Sequence, residues 1–183
     1  MNFKLMHFWK NDDGLATLES AILLPMMLIV LMGMFDIGQA IIINQKITAA
    51  SHMASDLITR KISVDGTDLS DSYGLSQLVI DPYDRDALGI DIAGIKFDED
   101  DDPEVKWRYT RNMSADNSIP GDASGLGING EGIVSVTATY TYSPKFSKIL
   151  INDITMTERA FLRGRKNSYV RYEGDPDDLG SGE

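Results

Sequence analysis

Residues 14–43 read GLATLESAILLPMMLIVLMGMFDIGQAIII. No charged side chain occurs in residues 20–35, and Asp36 is the only one between residue 20 and Lys46. Crossing the hydrocarbon core of a bilayer takes about 20 mostly apolar helical residues. Pro25 would kink a lone helix in water, but neighbouring helices can satisfy the freed carbonyl group in lipid. The stretch therefore predicts one membrane-spanning helix, whose small or unusual residues are Ala21, Pro25, Gly33 and Asp36.

Asp36 is an ionisable residue inside this apolar stretch. Such residues usually have a partner or lie where their head group reaches water. Because the polar residues Gln39 and Asn44 follow shortly, we expect Asp36 at the membrane interface with its carboxylate in water. A partner for Asp36 is not predicted.

The residues before the apolar stretch leave three interpretations open. A secretory signal peptide would be removed at a small-x-small site such as residues 38–40. An uncleaved membrane anchor has the same hydropathy. The third interpretation depends on Gly14, which ends a polar leader carrying Lys4 and Lys10, and on Glu19, the fifth residue after it. Glu19 could also simply occupy the first turn of the helix, where the helix dipole favours a negative charge by about 0.3–1 kcal/mol.

The helix is predicted to continue beyond the bilayer to about residue 61. Apolar residues recur there at three- and four-residue steps, namely Ile43, Ile47, Ala50, Ala54, Leu57 and Ile58. Polar residues lie between them, namely Asn44, Lys46, Ser51, Ser55, Asp56 and Arg60. This pattern indicates an amphipathic helix with one apolar stripe. A continuous helix from residue 15 would be roughly 70 Å long.

The rest of the chain predicts an α+β domain with a small antiparallel sheet. Asp68 is expected to cap a short helix, and residues 89–97 and 104–111 to form a hairpin with an acidic tip. Residues 133–142 alternate, with apolar side chains on one face and Ser or Thr on the other, which is typical of a half-buried strand. Residues 154–163 are a fourth strand, whereas residues 112–130 are a mobile loop. The strand order is not predicted.

The predicted organisation is a leader at residues 1–14, the helix at 15–62, the soluble domain at 63–172 and a disordered acidic tail at 173–183. The net charge of −11 argues against nucleic-acid binding, which needs cations to displace counterions. The chain has no Cys, and its two histidines are His7 in the leader and His52 alone on a helix. No nucleophile, base or metal site is recognisable, so we expect neither an enzyme nor a cofactor.

An acidic run provides the one candidate for a metal ion. The carboxylates of Asp98, Asp100 and Asp102 are the type of ligand that Ca²⁺ takes. The run lacks the turn glycine of a calcium loop, and a solvated hairpin tip explains it equally. We therefore predict no metal site here.

The chain resembles the TadE/TadG-like family of the tight-adherence (Flp) pilus machinery. The N-terminal resemblance rests on Gly14, Glu19, Pro25 and the small and polar residues of 44–55. A second part covers residues 134–142, Pro144 and 154–165, where a Tyr-rich strand leads to a strand ending in basic residues. Larger TadG-like relatives carry a further domain for which 183 residues leave no room, so the resemblance is to the TadE-like members.

The resemblance implies a minor pilin, or pseudopilin. A prepilin peptidase would cut after Gly14, so that the mature chain would start at Leu15 with Glu19 as its fifth residue. Glu19 would neutralise the new α-amino group of a neighbouring subunit. The implied partners are the peptidase, other pilin subunits and the inner-membrane assembly platform. The implied location is the bacterial inner membrane, with the C-terminal domain in the periplasm and possible incorporation into a pilus. The alternatives are a stand-alone bitopic protein that binds a partner or ligand, and a protein secreted after cleavage behind Ala40.

Overall fold

The computed structural model describes residues 12–114, 118–120, 123–146, 148 and 152–173, with the backbone alone at 12–15. Its elements are α1 (Asp12–Thr59), β1 (Ser63–Val64), α2 (Gly66–Ile80), a 3₁₀ turn (Arg85–Ala87), β2 (Leu88–Phe97), β3 (Pro103–Arg111), β4 (Gly132–Tyr142), β5 (Ile154–Arg163) and β6 (Arg171–Tyr172). This confirms the predicted fold class, a long N-terminal helix with a small antiparallel sheet. The leader before Asp12 and the tail after Glu173 lie outside the described residues.

The described residues form two compact units. One comprises α1 up to Ala40 together with the connection Ser143–Asp153 between β4 and β5. The other comprises Ile41–Tyr142 and the chain from Ile154 onward. The helix α1 is 48 residues long and continues through Pro25 without interruption.

The second half of α1 provides one wall of the domain core. The predicted apolar stripe is confirmed at five of its six residues, because Ile43, Ile47, Ala50, Ala54 and Ile58 are at most 1% exposed. The sixth, Leu57, is half-buried. Two of the polar residues that lie between them, Ser51 and Ser55, are buried as well. Their hydroxyl groups donate to the carbonyl oxygens of Thr48 and Ser51 at 2.9 and 2.8 Å. A hydroxyl that is satisfied by its own helix can lie in the core at little cost.

The helix α2 packs against this wall through small residues. Ser72 and Ser76 are buried, and the Ser76 hydroxyl donates to the carbonyl oxygen of Ala50 at 3.3 Å as well as to that of Ser72. The predicted cap, Asp68, is wrong by one turn. Asp65 is the N-cap, and its side chain accepts the backbone N–H of Asp68 at 2.7 Å.

The sheet has the order β3-β2-β4-β5, with every neighbouring pair antiparallel. One face packs on the helices, with Ile90, Ile92, Val134 and Val136 in the same cluster as Ala54, Ile58 and Leu69. The predicted polar face of β4 is only partly right. Ser135 and Thr137 are buried, because a second cluster, comprising Ala93, Ile95, Phe97, Ala123 and Ile133, covers part of that face.

The C-terminal segment returns to the end of α1. The strand β6 pairs in parallel with β1, Ser63 with Arg171 and Val64 with Tyr172. The backbone N–H of Arg165 donates to the carbonyl oxygen of Thr59 at 2.9 Å. Neither two-residue strand was predicted, because so short a pair has no periodicity to recognise.

Candidate functional site

The first half of α1 is mostly apolar, and its described side chains are exposed around the whole helix up to residue 31. Every described side chain from Ala16 to Leu31 is exposed. The large apolar residues at least 40% exposed in this region are Leu18, Ile22, Leu23, Leu24, Met26, Met27, Leu28, Ile29, Val30, Leu31, Met32, Met34, Phe35, Ile37, Ile41 and Ile42. Among the described residues, α1 is the one helix long and apolar enough to cross a membrane. A helix that is apolar all round needs lipid or other protein around it.

The predicted cleavage site lies on the helical backbone. Gly14 and Leu15 follow Asp12, where α1 begins. Nothing in the described structure tests cleavage between them, so it stays a prediction.

Glu19 is exposed and lies eight residues into α1, counting Asp12 as the first. The favourable effect of the helix dipole falls off within the first turn. In the uncleaved chain, Glu19 therefore lies beyond the first turn of α1. Pairing with another chain's amine remains the prediction for this carboxylate.

The three other residues singled out in the apolar stretch face outward. Ala21 and Pro25 are exposed, and Gly33 is half-buried. A Cβ atom added at Gly33 would meet nothing within 4 Å. Among the described residues, the absence of a side chain at Gly33 therefore serves no contact with another segment.

Asp36 differs from the expectation in the surroundings of its carboxylate, whereas its place at a membrane interface stays a prediction. It is 2% exposed, and its two carboxylate oxygens accept the backbone N–H groups of Lys145 and Phe146 at 3.2 and 3.0 Å. The interpretation of a carboxylate in water is therefore wrong, because the connection between β4 and β5 supplies donors to Asp36. The partner is 109 residues away in sequence, and no local pattern could have indicated it.

An aromatic pair lies next to this carboxylate. The rings of Phe35 and Phe146 meet edge to face, with their centroids 5.5 Å apart and their planes at 78°. Both side chains are about half exposed, at 51% and 53%. The same two segments therefore meet through a polar contact and an apolar contact side by side.

Ion pairs connect the C-terminal end of α1 with the segment that follows β5. The Asp56 carboxylate forms ion pairs with Arg60, one turn along the helix, and with Arg165 beyond β5. Hydrogen bonding from Arg60, together with the charges of Arg165 and Arg60, lowers the pKa of the Asp56 carboxyl below its usual range. The basic end of the last predicted strand thus has a defined partner, which sequence reasoning did not identify.

The carboxylates at the acidic tip of the β2–β3 hairpin accept hydrogen bonds from backbone N–H groups. The Asp98 side chain accepts the N–H groups of Asp100 and Asp102 at 3.0 and 2.9 Å, and Asp101 accepts that of Asn129 at 2.6 Å. No group of three or more His, Cys, Asp or Glu suited to a metal ion occurs in the part of the chain that the structure describes. His52 is exposed on α1.

Comparison with known proteins identifies one segment. Residues 14–56 match the family model described as "TadE-like protein". This confirms the resemblance to TadE-like proteins for that part of the chain and associates it with tight-adherence pili. The match runs from Gly14 through the apolar half of α1 to Asp56. Neither a curated protein nor a solved structure matches the chain.

Proposed function

Because residues 14–56 are a TadE-like segment, we propose that this chain is a minor pilin, or pseudopilin, of a tight-adherence (Flp, type IV-like) pilus or secretion system. The role is structural, with no catalytic step and no cofactor. A prepilin peptidase removes the leader after Gly14, and the apolar helix is retained. The chain then joins other pilin subunits through the inner-membrane assembly platform.

One observation carries this proposal, namely that the two halves of the same helix have different surroundings. The first half has exposed apolar side chains, and the second half packs in the core of a domain. Up to residue 31 its described side chains are exposed and almost all apolar, whereas from Ile43 its apolar stripe is at most 1% exposed. The first half needs lipid before assembly and can be buried among neighbouring helices after it. The second half belongs to a folded domain, and one unbroken helix, Asp12–Thr59, joins it to the apolar half.

Glu19 gives the assembled state a specific contact. A carboxylate beside an apolar membrane helix is costly unless it is paired. Cleavage after Gly14 creates a cation at Leu15, so the Glu19 carboxylate of one subunit neutralises the amine of the next. A buried pair of this kind contributes register more reliably than net stability. Processing and assembly are then linked through one ion pair.

The orientation follows from the site of processing. The peptidase cuts on the cytoplasmic side, so the leader with Lys4 and Lys10 stays in the cytoplasm. The domain formed by α2 and the sheet then faces the periplasm. Cysteine labelling with a membrane-impermeant reagent on intact and opened cells tests this, because the natural chain contains no Cys.

The mature N-terminus is the first measurement for the processing step. Intact mass and terminal sequencing are compared in cells with an active and an inactive peptidase, with Gly14→Leu as a variant that blocks cleavage. We expect Leu15 as the first residue only with active peptidase and natural Gly14. A chain that keeps Met1 in every case is a stand-alone anchored protein, and one starting at Ile41 is a secreted protein. Either result rejects the proposal.

The assembly step is tested separately with Glu19→Ala. We expect the variant to be cleaved after Gly14 but to be lost from the assembled pilus fraction, because the neighbour's amine has no counter-charge. Ser20→Ala, the adjacent exposed position, is the matched control and should assemble normally. Normal assembly of Glu19→Ala would reject the ion pair and leave the processing step untouched.

A further inference from the structure

Asp36 ends the uncharged stretch of α1 that follows Glu19, about one bilayer core further along the helix. Asp36 is the seventeenth residue after Glu19, which corresponds to about 26 Å of helix. The hydrocarbon core of a bilayer is about 30 Å thick. For a helix that spans the membrane, Asp36 is therefore at the boundary with the head groups.

The connection that meets Asp36 has the composition of a membrane boundary. We call its described residues 143–146 and 148 the boundary segment. Phe146 is half exposed beside Phe35, and Lys145 and Lys148 are exposed on either side of it. Segments that lie in the membrane interface bury Phe, Trp or Leu side chains at the boundary between head groups and acyl chains, and lysine side chains extend from apolar surroundings towards the polar side of that boundary.

The hydrogen bonds to Asp36 allow the boundary segment to lie at the membrane boundary. The N–H groups of Lys145 and Phe146 are satisfied by a carboxylate of the same unit, so they need no water. The Asp36 charge is met by two donors, which lowers the cost of its position in an apolar helix. Backbone that is not helical is tolerated near lipid only when its polar groups are satisfied.

We propose that the boundary segment is a second membrane contact, which binds the head-group region of the bilayer. Phe146 inserts beside Phe35 at the level where acyl chains meet head groups, and Lys145 and Lys148 contact phosphate oxygens. Phosphate is common to all phospholipids, so anionic lipid is not required, in keeping with the net charge of −11. This inference rests on one part of the proposed function, the membrane-spanning state of α1.

Spin labels at single cysteines test the depth of the segment, because the natural chain has no Cys. The full chain is placed in phosphatidylcholine vesicles with a label at Phe146→Cys. Ile29→Cys, in the exposed apolar helix, is the lipid control, and Ile128→Cys, 60% exposed in the other unit, is the water control. Accessibility to oxygen, which favours lipid, and to a water-soluble nickel chelate is measured at each label.

We expect the label at residue 146 to lie between the two controls, with nickel accessibility several-fold below that at residue 128. A label at 146 that is as accessible to nickel as the one at 128 overturns the inference, provided that the label at 29 is in lipid. If the label at 29 is also in water, the membrane span itself fails, and the proposed function fails with it. The two failures are therefore distinguishable.

Charge and hydrogen bonding are then changed in the same labelled chain. Lys145→Glu with Lys148→Glu should raise the nickel accessibility at residue 146, because carboxylates are repelled by phosphate. Asp36→Ala should do the same and increase label mobility, whereas Asp36→Asn, which keeps one acceptor oxygen, should have a smaller effect. An unchanged label in the lysine variant, with the label at 128 also unchanged, overturns the phosphate contact.

A neighbouring copy of the chain is the competing occupant. Protection of residue 146 by lipid is independent of the protein-to-lipid ratio, whereas protection by another subunit disappears on dilution. We expect the nickel accessibility to stay constant when the vesicles are diluted with excess lipid. A rise to the value of the water control on dilution would overturn the lipid contact.

Discussion

The indole Nε1 of Trp107 donates a hydrogen bond of 2.8 Å to the backbone carbonyl oxygen of Val170. Both residues belong to the core cluster that joins the sheet to the helices. The bond ties β3 to the segment just before β6, 63 residues later. The indole needs a glycine next to it, since a Cβ atom at Gly94 would lie 2.1 Å from two of its ring atoms.

We expect Gly94→Ala to destabilise the domain by about 1–3 kcal/mol, because the added methyl group overlaps an indole that is already fixed by its hydrogen bond. Gly74→Ala is the matched control. A Cβ atom at Gly74, in α2, meets nothing within 4 Å, and alanine should stabilise the helix by about 0.5–1 kcal/mol. Urea unfolding of the full chain in detergent measures both, and equal unfolding free energies would contradict the packing argument.

Lys46 provides a positive charge at the C-terminal end of α2. Its ammonium group donates to the carbonyl oxygens of Val79 and Asp81 at 2.9 and 2.7 Å. We expect Lys46→Met, which keeps the apolar stem, to lower the free energy of unfolding by about 0.3–1 kcal/mol through loss of this interaction with the helix end. Lys166→Met, at an exposed position, should change it less. The comparison fails if both variants behave alike.

The ion pairs of Asp56 predict a dependence on acidity. The pKa of its carboxyl is lowered, with the hydrogen bond from Arg60 as the largest cause. A lowered pKa in the folded state means that the stabilisation is present above the unfolded value of about 3.9 and is lost as the pH falls through the folded value. We expect Asp56→Asn to flatten the acid limb of the stability curve below about pH 4. Asp71→Asn, exposed on α2, should leave that limb steep, and thermal unfolding at a series of pH values measures it.

A substitution at Gly33 should affect the proposed assembly but not the fold of the isolated chain. Because no described atom outside the neighbouring helix backbone lies within 4 Å of an added Cβ, Gly33→Leu should leave the fold of the isolated chain intact. Small residues let membrane helices approach closely, so the variant should be recovered in smaller amount with other pilin subunits. Met34→Leu, a 72% exposed neighbour, is the control. Recovery of the Gly33 variant at the natural level would show that no helix packs there.

Sequence reasoning worked wherever the signal was local and periodic. The three-to-four spacing of Ile43, Ile47 and Ala50 identified the buried stripe of α1, and alternation identified β4. Sequence reasoning was less accurate for polar side chains that can be satisfied either by water or by hydrogen bonds within the protein. The amphipathic pattern did not indicate that Ser51 and Ser55 are buried, because a serine on a helix can donate to the helix's own carbonyl groups.

Capping and long-range contacts were harder to predict. Asp65 and Asp68 lie three residues apart, and composition alone does not say which of them precedes the first turn. The partners of Asp36 and Trp107 are 109 and 63 residues away, so they depend on how the sheet is connected. Cleavage after Gly14 and the pairing of Glu19 involve other proteins, and the structure of one chain leaves both as predictions.

The bond between Asp36 and the segment after β4 also has a mechanical meaning. Tension applied along α1 enters the domain through the covalent chain at Ile41 and, in parallel, through Asp36 to the backbone at Lys145 and Phe146. That backbone continues β4, which is hydrogen-bonded to a strand on each side. Force is thus shared between a helix and an inner strand of the sheet. A chain built in this way can be pulled along α1 without the whole load passing through a single peptide connection.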